Sequence, residues 1–287
     1  MNFLYIFTIV YFKTITIILT LPILNYNTIP DNFLTITVKT TSKNYDTRVR
    51  DILDTWFKKL PNNIWFITDL DDDQISTLSG NHLIPTECGM EHKISDLVCK
   101  MEKELEVFTY QNSLWSCHFD DDNYVNIEKL VELLQTFNPS LPYFFGKRSI
   151  KNPLYINNFD LKYATGGAGF CISNGILSTI EKDIKYGRYL DVAFDNRLPD
   201  DMAFSYFLEY NYNFPLTVID GFHSHLEMES SILNPDDEIS FSFNDMDDTN
   251  QRVKIIIPDY CVFPNDKRFM RALHCLVEEK RRRKMEN

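Results

Sequence analysis

The chain has 287 residues and a formal net charge of −12, from 41 Asp and Glu against 29 Lys and Arg. Its 44% hydrophobic and 14% aromatic content excludes an intrinsically disordered chain and suits one large or two small domains. The acidity argues against a non-specific nucleic-acid binder, because phosphate contacts require a basic surface. The surplus carboxylates therefore form either a solvated surface or, in part, a site that needs a cation.

The N-terminal segment is the first predicted element. Residues 3–24 are mostly apolar and interrupted by Lys13, and their length fits a membrane span of about 20 residues. We predict a secretory signal or a signal-anchor at residues 1–24, followed by a short polar stem at 25–32. A buried N-terminal helix or strand is the alternative, because the segment is rich in β-branched residues.

Strand and helix patterns then alternate along the chain. Apolar or β-branched runs predict strands at 33–40, 63–69, 114–119, 143–146 and 170–173. Apolar residues at helical spacing predict helices at 46–59, 95–110, 127–137 and 200–210. This alternation predicts an α/β fold with a mostly parallel central sheet, in one domain over residues 33–287. Ligands of such sheets bind at the carboxyl ends of the strands.

An acidic run follows the third predicted strand. Asp120, Asp121 and Asp122 lie between this strand and the next helix, where three adjacent carboxylates need a counter-charge to stay ionised together. A hard divalent cation that bridges to diphosphate oxygens would supply it. The alternative is an acidic turn, since Asp is favoured at helix starts.

A second acidic run, Asp69 to Asp73, lacks the glycine and the bidentate glutamate of an EF-hand loop. The first run also departs from the EF-hand pattern, at Tyr124 and Val125. We expect the second run to be an exposed loop.

Six cysteines agree with an oxidising compartment. None forms a CxxC pair, so a zinc ribbon is disfavoured. Spacing alone does not choose among the fifteen pairings that six cysteines allow.

Four segments together closely resemble the Fringe glycosyltransferases: WSCHFDDDNYVN (115–126), ATGGAGFCIS (164–173), LPDD (198–201) and FHSHLE (222–227). They occur in the family's order, and the resemblance extends over roughly residues 33 to 275. It implies a GT-A type fold and an inverting, metal-dependent transfer of N-acetylglucosamine from UDP-GlcNAc. The acceptor would be O-linked fucose on EGF-like repeats of Notch-like glycoproteins. The family further implies a single-pass type II protein of the Golgi membrane with a lumenal catalytic domain.

The resemblance also assigns roles to residues. Asp122 and His225 would hold the metal, for which a histidine with carboxylates favours Mn²⁺ over Mg²⁺. Asp201 would be the catalytic base that removes a proton from the acceptor hydroxyl. Seven more residues would contact the substrates: Thr40, Arg48 and Asp69 the uridine, Asp120 and Asp121 the sugar nucleotide or the metal shell, Gly166 and Gly167 the donor sugar or acceptor.

The cysteines acquire pairings in the same way. Two family disulfides imply Cys88–Cys99 and Cys117–Cys171. Cys275 matches one half of a third, and we expect Cys261 as its partner, with free thiols as the alternative.

Two other functions remain open. A related β1,3-galactosyltransferase that extends O-linked N-acetylgalactosamine shares the acidic triplet and the glycine loop. A lectin-like pseudoenzyme is disfavoured, because the residues matching the base and the metal ligands are all present.

Overall fold

The computed structural model describes residues 29–225, 227, 230–232, 234–243 and 253–286. The predicted signal-anchor at 1–24 and the first residues of the stem lie outside the described residues. Within the described residues no helix is long and apolar enough to cross a membrane.

A seven-stranded central sheet organises the fold. Its strands are β1 (Leu34–Lys39), β2 (Ile64–Thr68), β3 (Leu83–Pro85), β4 (Trp115–Asp120), β6 (Phe144–Gly146), β9 (Phe170–Ser173) and β10 (Leu216–Val218). They lie in the order β10-β6-β9-β4-β1-β2-β3. All pairings are parallel except those of β9, which runs antiparallel to both β4 and β6. The predicted α/β class with a mostly parallel sheet is therefore confirmed.

Seven further strands of two or three residues among the described residues lie outside this sheet. They are β5 (Asn123–Val125), β7 (Leu154–Ile156), β8 (Phe159–Leu161), β11 (Phe222–His223), β12 (Ser230–Ile232), β13 (Ser240–Ser242) and β14 (Val253–Ile255). A three-stranded sheet of order β11-β13-β5 lies beside the carboxyl end of β4, because β5 follows β4 after a two-residue turn.

Eight helices complete the described part of the chain. They are α1 (Arg50–Asp54), α2 (Asp73–Leu78), α3 (Ile94–Gln111), α4 (Ile127–Gln135), α5 (Asn174–Lys185), α6 (Arg188–Asn196), α7 (Asp200–Tyr212) and α8 (Met270–Glu286). Apolar side chains of α3, α5, α6 and α7 form one buried layer, and those of α1, α4 and α8 pack in a second layer with β1, β2 and β4. All six residues of β1 are buried, as expected of a strand covered on both faces.

The prediction of one helix over 46–59 is wrong. A π turn (Tyr45–Val49), the short helix α1 and a 3₁₀ turn (Trp56–Lys59) replace it. The break falls at Thr55, whose φ of −116° and ψ of −111° are not helical and whose hydroxyl donates to the Asp51 carbonyl at 2.6 Å. The apolar residues still face the core. Their spacing therefore predicts correctly which side of the segment is buried, but it does not show that the helix is interrupted.

Three disulfides are present among the described residues: Cys88–Cys99, Cys117–Cys171 and Cys261–Cys275. These are the three expected pairings. Cys117 and Cys171 face each other across β4 and β9, so this bond ties the strand before the acidic run to the strand after the glycine loop.

Candidate active site

A cavity of about 520 Å³ opens at the carboxyl ends of β1 and β4. Its lining includes the predicted site residues Thr40, Arg48, Asp120, Asp121, Asp122, Gly166, Gly167, Asp201 and His225. Asp69 is the one predicted site residue that is not part of the lining. Residues separated by up to 185 positions in sequence thus surround one space.

The middle carboxylate of the acidic run is held by the protein itself. Asp121 is buried, and it accepts hydrogen bonds from Thr40 Oγ1 at 2.7 Å, Asn44 Nδ2 at 2.8 Å and Arg48 at 2.9 Å. This binds the acidic turn to the segment that follows β1. Thr40 and Arg48 therefore border the cavity in positions fixed by Asp121.

Asp120 belongs to a buried ion-pair network. Lys39, at the end of β1, lies 3.2 Å from Asp120 and also pairs closely with Asp200 at the start of α7. Burial would lower the pKa of Lys39, but the charges of Asp120 and Asp200 outweigh it and hold this pKa well above its usual value. Burial likewise opposes ionisation of Asp120, and Lys39 nonetheless lowers its pKa. A single cation thus joins the acidic run to the helix that carries the predicted base.

Asp122 and His225 approach each other through a third residue. The hydroxyl of Ser242 lies 3.1 Å from Asp122 Oδ1 and 2.9 Å from His225 Nδ1. Burial, and then the negative charge of Asp120, raises the pKa of Asp122 to about 7. A carboxylate destabilised in this way is a good ligand for a divalent cation, because a positive charge relieves both effects.

Asp201 faces the cavity from the first turn of α7. Its Oδ2 accepts a hydrogen bond from the Gly166 backbone N–H at 3.0 Å, which fixes it against the glycine loop. Burial, and then the neighbouring charge of Asp200, raises its pKa to about 6. A carboxylate with this pKa is mostly ionised near neutral pH and basic enough to accept a proton.

The glycine loop is a clamped wall of the same cavity. Gly166–Ala168 form a 3₁₀ turn, and Gly169 follows with φ +79°. Asn123 donates to the Gly167 carbonyl at 2.8 Å, and Ser240 donates to the Ala168 carbonyl at 2.6 Å. The loop therefore presents its backbone to the cavity in one fixed conformation.

Most of the second acidic run is exposed as predicted, including Leu70, Asp71 and Asp73, but the side chain of Asp69 is buried behind the cavity wall. It accepts hydrogen bonds from the Ser42 hydroxyl at 2.7 Å and from Lys100 at 3.1 Å. Burial opposes its ionisation, but hydrogen bonds from Thr41, Ser42 and Lys100 lower its pKa to about 2. Asp73, at the other end of the run, begins helix α2, and Asp72 caps that helix through its bond to the Ile75 N–H at 2.8 Å.

Sequence reasoning missed several polar residues of this site. Lys39 and Lys100 were hidden in a buried strand and on an amphipathic helix, and the run DDEISFSF gave no sign that Ser242 meets the acidic turn. Glu104 was missed as well, although it accepts from Thr37 and bonds His118 Nδ1 at 2.7 Å beneath Asp120. A charged residue at a position that periodicity assigns to the core was the available signal for Lys100 and Glu104.

The side chains around Asp122 supply only part of a metal site. The described residues contain no group of three or more His, Cys, Asp or Glu side chains arranged to hold a metal ion. Asp122 and His225 offer one oxygen and one nitrogen ligand, which suits a cation that takes its remaining ligands from phosphate oxygens and water.

The amino-acid sequence is similar to a known family of proteins. A family model described as "Fringe-like" matches residues 29–281. The "Fringe glycosyltransferase" of Drosophila melanogaster is 39% identical over 253 residues, which cover 84% of this chain and 60% of that protein. The "Beta-1,3-N-acetylglucosaminyltransferase radical fringe" of Gallus gallus is 32% identical over 257 residues, 84% of this chain and 68% of the chicken protein.

Among solved structures, mouse xyloside xylosyltransferase 1 superposes with a TM-score of 0.40 at 11% identity, over 77% of this chain and 99% of that chain. So distant a likeness carries no argument about function.

Proposed function

This chain belongs to the Fringe family, and we propose that it transfers N-acetylglucosamine from UDP-GlcNAc in β1,3 linkage to O-linked fucose on EGF-like repeats of Notch-like glycoproteins. Its fold, a mostly parallel sheet with an aspartate run at the carboxyl end of a central strand, is of the GT-A type. The chain spans only 60% of the length of the Drosophila relative.

One observation carries the proposal: the candidate base and the candidate metal ligands border the same cavity with the glycine loop between them. A Cβ on Gly166 would lie 3.6 Å from the Asp201 side chain, and a Cβ on Gly167 would lie 3.3 Å from His225. A sugar nucleotide seated on this loop would have its diphosphate toward Asp122 and His225 and its anomeric carbon toward Asp201. This is the order of groups that an inverting transfer requires.

Asp122 and His225 are proposed to hold Mn²⁺, which would offset the charge that builds on the departing diphosphate. The protein groups do the rest. Asp201 is proposed to take the proton of the attacking fucose hydroxyl while the glycosidic bond to UDP breaks, and inversion needs only this one base. Lys39 pairs with both Asp120 and Asp200, so its single positive charge partly offsets the carboxylates around the base.

We further propose that the chain acts in the Golgi lumen, held in the membrane by its N-terminal segment. Three disulfides support an oxidising compartment.

The decisive assay incubates the purified chain with Mn²⁺ and UDP-GlcNAc or UDP-Gal, beside an O-fucosylated EGF repeat and an O-GalNAc peptide. We expect GlcNAc transfer to fucose alone. Transfer only to O-GalNAc would replace the proposal with the galactosyltransferase alternative, and no transfer to either acceptor would leave the pseudoenzyme.

Asp201→Asn provides the internal test of the base. It should abolish turnover while UDP and Mn²⁺ still bind with nearly normal affinity. Asp195→Asn, on the exposed surface of α6, is the matched control and should retain full activity.

A further inference from the structure

Ser242 occupies an unusual place in the chain's topology. Strand β13 is the middle strand of the three-stranded sheet, with β5 on one side and β11 on the other. Ser242 pairs with Asn123 of β5, the residue directly after Asp122. On its other side, β13 pairs with β11, where His223 lies opposite Phe241. Because these two strands are parallel, His225 follows shortly beyond the position opposite Ser242. Ser242, the last residue of the middle strand, therefore lies between the two proposed metal ligands.

Hydrogen-bond chemistry fixes the direction of the two contacts that Ser242 makes. Its hydroxyl has one proton, and it donates that proton to Asp122 Oδ1 at 3.1 Å. The oxygen of Ser242 must then accept from His225, whose Nδ1 lies 2.9 Å away. A neutral imidazole that carries its proton on Nδ1 has its lone pair on Nε2.

We propose that Ser242 is a positioning residue that holds His225 in the Nδ1–H form and joins it to Asp122, so that Nε2 and the carboxylate face one divalent cation together. This rests on the proposed metal site. Ser242 is 1% exposed, so water does not readily replace its hydroxyl. Outer groups of this kind orient metal-binding histidines in other proteins and change metal affinity 10- to 100-fold when removed.

The neighbouring histidine is excluded from this role by its own partners. His223 lies 3.2 Å from Glu227 and 3.1 Å from Glu238, one on each ring nitrogen. Both of its nitrogens are therefore committed to carboxylates. The segment that carries His225 is anchored by this pairing, while the ring of His225 is oriented by Ser242.

The first test needs no metal. Long-range ¹H–¹⁵N NMR correlations of the metal-free chain at pH 8 report which nitrogen of His225 carries the proton. We expect the Nδ1–H form in the wild type and its loss in Ser242→Ala. An Nε2–H form in the wild type, or an unchanged spectrum in the variant, would overturn the assignment.

The second test measures Mn²⁺ affinity in the presence of UDP, by the loss of the free-ion EPR signal. Ser242→Ala should bind Mn²⁺ at least tenfold more weakly. The control is Ser113→Ala, which loses a buried hydroxyl bonded to Thr35 at 2.7 Å at the opposite end of the sheet and should leave Mn²⁺ affinity within about twofold. Ser242→Thr, which keeps the hydroxyl, should restore most of the affinity.

The outcomes separate this inference from the proposed function. If Mn²⁺ affinity falls equally in both alanine variants, or does not fall in Ser242→Ala, the positioning role is refuted. Mn²⁺ binding by the wild type would still support the metal site in that case. A wild type that binds no Mn²⁺ would refute the metal site and the positioning role together, and the NMR result would still decide the tautomer.

Discussion

The proposed base, Asp201, should set the acid limb of the pH–rate profile, and the charge of its neighbour Asp200 should shift that limb to higher pH. Burial, and then the charge of Asp200, raises the pKa of Asp201 from 3.8 to about 6. A base works only when deprotonated, so the rate should fall as the pH decreases through about 6. Asp200→Asn removes the neighbouring charge and leaves Lys39 paired with Asp120 at 3.2 Å.

The size of the effect follows from the shift. A pKa that moves from 3.8 to about 6 corresponds to about 3 kcal/mol between the two protonation states. Burial contributes more than Asp200 does, so the variant recovers only part of this, and we expect the acid limb to move down by about one pH unit. At pH 5 the ionised fraction of the base would rise from about one tenth to about one half, so the rate relative to its plateau would increase about fivefold.

The assay is kcat/KM for the O-fucosylated acceptor at saturating Mn²⁺ and UDP-GlcNAc, from about pH 5 to about pH 8. Asp195→Asn should reproduce the wild-type limb. An Asp200→Asn limb that stays in place or moves to higher pH would refute the reasoning, because it would show that the charge of Asp200 does not act on the base.

Three further predictions concern stability. Because the pKa of Asp122 is raised in the folded state, the stability that this group contributes is fully present below its unfolded pKa and is lost as the pH rises through about 7. Asp122→Asn should therefore stabilise the metal-free chain at pH 8 by about 1–3 kcal/mol in urea unfolding, and a lower metal-free stability would contradict this. The same variant should abolish the increase in Tm that Mn²⁺ with UDP produces. Replacing both Cys117 and Cys171 with alanine opens a loop of 54 residues and should lower the unfolding free energy by about 4 kcal/mol; a loss under about 1 kcal/mol would contradict the chain-entropy argument. In thermal melts, Gly169→Ala should lower the Tm several times more than Gly80→Ala. Both glycines have a positive φ, but the new Cβ at Gly169 would lie 2.2 Å from an aromatic ring, whereas the Cβ at Gly80 would enter open space. Equal decreases in Tm would show that backbone strain alone acts at both sites.

Local patterns determined much of this molecule. The apolar runs that predict β1, β2 and β4 are read from the sequence because a strand buried on both faces has to be apolar along its whole length. The same logic placed Asp120 to Asp122 at a carboxyl end, where ligands of parallel sheets bind. The continuous helix at 46–59 failed because apolar spacing records which side is buried and not whether each residue keeps helical dihedral angles.

Tertiary structure alone decided how the carboxylates are compensated. Lys39 reaches Asp200 across 161 residues of sequence, and Ser242 reaches Asp122 across 120. No local propensity encodes such contacts, since they depend on which strands lie side by side in the folded sheets. The net charge of −12 gave only the surplus of carboxylates. The fold determines which of these carboxylates are paired with a cation, which of them have a raised pKa, and which of them face the cavity together.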